Sequence, residues 1–65
     1  MKIMIFYEKN KVLSGDPPIV KVMNQEYYHK PSVGEKIVID GIMYSVCDVT
    51  INYDELQIIV IIDRV

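Results

Sequence analysis

The side chains with the widest chemical repertoire lie in one short run, Gln25-Glu26-Tyr27-Tyr28-His29-Lys30, just before Pro31. Two phenols, an imidazole and an ammonium supply aromatic faces and hydrogen-bond donors, a composition that stacks on a base or ligand or grips a peptide. In a strand these side chains alternate between faces, so at most one of Tyr27 and Tyr28 is a core residue while the other looks outward. Tyr44 and Tyr53 join the outward tyrosine if the fold wraps them toward it. Tyr27, Tyr28, His29, Lys30, Tyr44 and Tyr53 are therefore the expected partner-binding set.

Catalytic constellations are harder to assemble. Nucleophilic catalysis needs a Ser or Cys beside a His that a carboxylate orients, and the chain has one cysteine, Cys47, and one histidine, His29. Cys47 falls in an expected strand beside Asp48, with no adjacent cation to stabilise a thiolate, and reads as a small apolar side chain. Asp54 and Glu55 are sequence neighbours, so their carboxylates diverge; they read as a solvated turn that discourages edge-to-edge pairing. One His, one Cys and scattered carboxylates do not make the ligand set that zinc needs. Gly34 and Gly41 lack the following helix and the Lys-Ser or Lys-Thr pair of a phosphate loop. No catalytic residue, metal or cofactor is expected.

The elements that must position these residues are strands. Ile and Val together supply 20 residues, Leu two and Ala none, a bias that favours a pleated, half-buried surface over a helix. Sixty-five residues make one domain, 1–65, near the lower limit for a core-stabilised fold, since a chain this short buries only about 60% of its unfolded surface. The formal charge of −2 and the scattered Lys and Arg residues disfavour nonspecific phosphate binding, so a nucleic-acid partner is not expected. A lone cysteine suits a reducing compartment, and the apolar run in MKIMIFYEKN is too short for a signal peptide or a membrane span. A cytoplasmic location is expected.

Residues 2–8 place Ile3, Ile5 and Tyr7 on one face and Met4 and Phe6 on the other, a strand apolar on both sides. Residues 9–18 form a long irregular connection with Ser14, Gly15 and Asp16 at a bend and two prolines after it. Residues 19–29 make a second strand, closed by Lys30-Pro31. Gly34 eases the chain into Glu35, Ile37 and Ile39 alternate with Lys36 and Val38, and Asp40-Gly41 signals a type I′ hairpin. Ile42, Tyr44 and Val46 set an inward parity that Val49 and Ile51 break by one residue, so a β-bulge is expected near Cys47-Asp48. Asn52, Asp54 and Glu55 mark another turn before a final strand over 56–62. Five short strands with a long first connection predict a small five-stranded SH3-like barrel, all-β, with no helix between strands to suggest an OB-type barrel. Ile3, Ile5, Leu56, Ile58, Val60 and Ile62 are expected inside. Met4, Phe6, Ile59 and Ile61 are expected outside, as one apolar patch forming a two-fold homo-oligomer interface.

Over residues 31–51 the chain resembles small phage and mobile-element SH3-like β-barrel proteins, with the outline Pro31-x-Val33-Gly34-Glu35, apolar alternation, Asp40-Gly41, then Tyr44-x-Val46-x-x-Val49. The segment is also similar to the start of KOW segments of RNA-associated proteins, without their second glycine pair or their basic residues after the turn. The phage resemblance implies a compact barrel and an accessory role. Together these observations lead to the expectation of a non-enzymatic binding module that binds, and can inhibit, a host protein. The alternatives are a binder that sequesters a nucleotide signal at a subunit interface, and a structural virion component.

Overall fold

Period-two alternation of β-branched side chains builds five strands: β1 (Ile3–Glu8), β2 (Ile19–Asn24), β3 (Lys36–Ile39), β4 (Ile42–Asn52) and β5 (Gln57–Arg64). The computed structural model describes residues 3–10, 19–24 and 29–65. The strands form one sheet in the order β2-β1-β5-β4-β3. β1 runs parallel to β5, and the other three pairs are antiparallel. The sheet curls into a half-barrel, the small all-β, barrel-like fold expected from the sequence. Lys9 and Asn10 take helical backbone directly after β1, where an irregular connection was expected; the bend at Ser14-Gly15-Asp16 lies outside the described residues.

Local turn chemistry explains how the strands are joined. Asp40 and Gly41 have φ of 51° and 82°, the two positive values that a type I′ turn requires. Ahead of β3, the Glu35 N–H donates to the Ser32 carbonyl at 3.1 Å, and Gly34, at φ 91°, holds the third place of that turn. The Gly34 N–H donates to the Val46 carbonyl at 2.9 Å and the Val46 N–H donates to the Glu35 carbonyl at 2.8 Å. Gly34 and Glu35 thus face one residue of β4, a glycine-led bulge. Asn52 Oδ1 accepts from the N–H groups of Asp54 and Glu55 at 3.0 and 3.1 Å, an Asx-type turn. The register of β4 against β5 slips between Val46 and Asp48, so Cys47 is the extra residue of the expected bulge. Tyr44 and Val46 before it and Val49 and Ile51 after it all address the core.

The core consists of Met4, Phe6, Ile39, Tyr44, Val46, Ile58, Val60 and Ile62, with Val20, Met23, Ile37, Val49 and Ile51 packed against it. This corrects the expected facing of β1. Met4 and Phe6 are 1% and 3% exposed, whereas Ile3 is 39% exposed and Ile5 is half-buried. Leu56, also expected inside, sits in the β4–β5 turn at φ 55° and is exposed. The cause is the parallel ladder. Met4 is opposite Ile58 and Phe6 is opposite Val60, so the inward parity of β5 dictates that of β1. The same parity carries Glu8 inside, where it is 6% exposed. Its carboxylate accepts a 3.0 Å hydrogen bond from Arg64 Nε. Charge alone argues for Glu8 at the surface; an arginine 56 positions away answers that objection.

Two stability predictions follow from these contacts. A Cβ on Gly41 meets nothing within 4 Å, so Gly41→Val costs backbone strain alone, at least about 1 kcal/mol at a positive φ. A urea midpoint equal to the parent's would show that the turn does not need glycine. Arg64→Met removes the guanidinium hydrogen bond to the buried Glu8 carboxylate and should cost about 1–2 kcal/mol, reduced from the value for fully buried pairs because Arg64 is partly in water. The double variant Glu8→Leu/Arg64→Met should recover part of that loss. If the double variant is less stable than Arg64→Met alone, the carboxylate is not the source of the cost.

Candidate functional site

The open side of the half-barrel forms a groove. Its floor is Met4, Phe6 and Ile39, and its walls are Met23 of β2, Ile37 and Val38 of β3, and His29, Pro31 and Glu35 of the segment entering β3. The space is about 220 Å³. β2 and β3 are the two ends of the sheet order, and among the described residues no ladder joins them.

Each wall follows from local chemistry. Met23 stands directly opposite Met4 in the β1–β2 ladder and so shares its inward parity, placing two flexible, polarisable thioethers side by side. Pro31 is buried and ends the expected second-strand run where its ring disfavours a paired strand. Glu35 fixes this segment with one carboxylate. Its Oε1 accepts from the Ser32 N–H at 2.7 Å, and its Oε2 lies 3.7 Å from His29 Nε2. The His29–Glu35 pair is at the rim, with the imidazole side chain 79% exposed. Across the same open side, Lys21 Nζ reaches Asp40 Oδ1 at 3.5 Å. Both groups are well solvated, so this bridge between β2 and the β3–β4 turn contributes less than about 1 kcal/mol.

Among the described residues, the expected site residues are not brought together. Tyr27 and Tyr28 lie outside the described residues. His29 lines the groove, and Lys30 beside it is exposed. Tyr44 is a correction: at 2% exposed it is a core residue, as the inward parity of its strand requires. Tyr53 is 72% exposed in the β4–β5 turn, and the groove lining does not include it. The expected outer patch is also divided. Met4 and Phe6 form the groove floor, while Ile59 and Ile61 have the opposite parity to the buried Ile58, Val60 and Ile62 and stand on the outer face.

Sequence reasoning missed Met23, Pro31, Glu35, Ile37, Val38 and Ile39 as groove residues. Each was read as a strand or turn residue, and the groove exists only because strands distant in sequence curl around one space. The one sequence signal that pointed here was His29 next to Pro31. Cys47 is half-buried at its bulge, with Sγ 3.7 Å from the Ser45 carbonyl oxygen. Among the described residues, no group of three or more His, Cys, Asp or Glu gathers as a metal site.

A scan against protein-family models finds no match, and searches of curated proteins and of solved structures find none either.

Proposed function

We propose that the chain is a non-enzymatic protein-binding module that seats an apolar side chain of its partner in the groove between β2 and β3. The observation that carries this reading is the groove itself: about 220 Å³, floored by Met4, Phe6 and Ile39, with His29 and Glu35 at its rim. An apolar anchor gains by burial there at about 25 cal/mol per Å², and the facing Met4 and Met23 can reshape around different anchors. The rim pair of His29 and Glu35 supplies polar groups that orient a flanking backbone or side chain.

A nucleotide suits the groove poorly. Small-molecule sites usually enclose about 300–1,000 Å³, more than this space, and a phosphate needs converging cations. Among the described residues the groove lining contains one group able to carry positive charge, His29, and it already lies beside a carboxylate. The resemblance of residues 31–51 to small phage and mobile-element proteins extends the reading to a host protein as the partner.

Selection from a random peptide library with the wild-type protein as bait should return sequences that share one aliphatic or aromatic anchor. Binding of those peptides should shift the NMR methyl signals of Met23, Ile37 and Ile39. Met23→Lys places an ammonium on the wall with its stem still able to pack, and it should weaken the selected peptides at least about 30-fold, the loss of about 2 kcal/mol typical of a buried anchor. Peptides that bind Met23→Lys as tightly as the parent, or a nucleotide that raises the melting temperature while no peptide is selected, would overturn the proposal.

A further inference from the structure

The outer face of the sheet carries a second apolar surface, separate from the groove. Ile5 faces Val22 on one side and Ile59 on the other, and Tyr7 faces Ile61, so two adjacent apolar rows cross β2, β1 and β5. Val22 is 54% exposed. An apolar surface spread over three strands is more than scattered single residues account for.

The order of side chains along this face identifies what covers it. On β5 the outward series reads Gln57, Ile59, Ile61, Asp63, polar at both ends and apolar between. That series is symmetric about its midpoint. A two-fold axis lying in the interface and crossing the strands between Ile59 and Ile61 brings Ile59 of one copy to Ile61 of the other, and Gln57 to Asp63. On β4, where Thr50 is opposite Ile59 and Asp48 is opposite Ile61, the same operation brings Thr50 to Asp48. Both carboxylates then meet a hydrogen-bond donor, an amide or a hydroxyl. An axis along β5 would instead set Asp63 against Asp63, an unfavourable like-charge contact. We propose that the outer face packs sheet on sheet against a second copy of the chain, about a two-fold axis that crosses the strands. Such a contact is isologous and closed, and aligned sheet packing tolerates the twist of both copies. A standard interface takes about 800 Å² from each partner, close to a fifth of the 4365 Å² total surface. The groove lies on the opposite face and stays open in the dimer.

Sedimentation equilibrium over micromolar to hundred-micromolar concentration tests the inference. The wild-type chain should be a dimer, Ile59→Lys should be monomeric with an unchanged circular dichroism spectrum, and Met23→Lys in the groove should remain dimeric. The axis is tested by changes that do not touch the apolar rows. Gln57→Lys should tighten the dimer and Gln57→Glu should loosen it, each by roughly fivefold per contact with the contact occurring twice, and high salt should shrink the difference. A wild-type monomer at every concentration overturns the proposal, as does a dimer that Met23→Lys disrupts while Ile59→Lys leaves it intact. If Ile59→Lys does not fold, the Gln57 pair decides alone: equal dimer stability for its two variants rejects the arrangement.

Discussion

The parallel ladder between β1 and β5 is the constraint on which the rest of the structure depends. Parallel neighbours cannot be joined by a tight turn, so the whole path through β2, β3 and β4 serves as their connection, and the sheet must curl to bring them together. The ladder also settles which side chains are inside. With Ile58, Val60 and Ile62 committed to the core, Met4 and Phe6 follow by register, and so does Glu8. The ion pair with Arg64 is therefore not an independent ornament of the fold. It gives a charge-assisted hydrogen bond to the carboxylate that is carried inward with the methionine and phenylalanine of β1.

The parts of the fold that were legible in the sequence are those written in local chemistry. Asp40-Gly41 states its turn type, Asn52, Asp54 and Glu55 state a turn, and the one-residue slip between Val46 and Val49 states a bulge near Cys47-Asp48. These signals rest on backbone sterics within a few residues. The facing of β1 was not legible, because its two faces are equally apolar and the residue that breaks the tie, Glu8, points to the wrong answer until Arg64 is placed beside it. The groove was illegible for a related reason. Met23, Ile37 and Val38 have no shared sequence signature, and only the curl of the sheet brings them to one space. Tyr44 shows the limit of reading residue type over parity: an aromatic suggests recognition, yet its position in an alternating strand puts it in the core.

The two faces of the sheet differ in what they can recognise. The inner groove is floored by flexible and aromatic side chains, and its shape depends on rotamers, so it suits partners that vary in detail. The outer face is built mainly from β-branched residues with few rotamers, beside Tyr7, set in rows by the hydrogen-bond register, and it suits one surface of matching spacing. One thin sheet can hold both because alternation sends neighbouring residues to opposite sides, so changes on one face leave the other's residue types untouched.

The separation in sequence between β1 and β5 also shapes how the chain reaches this state. Glu8 and Arg64 are 56 positions apart, whereas β3, β4 and β5 follow one another through tight turns. The entropic penalty of loop closure rises with length, and long-range pairings form late as a rule. The topology therefore favours early assembly of the β3–β4–β5 meander, with β1 docking last. Until it docks, the edge of β5 beside Ile58, Val60 and Ile62 is an unpaired template, open to β1 of the same molecule or of another. Strand exchange between copies is thus built into the order of pairing, and what opposes it is the speed with which the chain's own first strand returns.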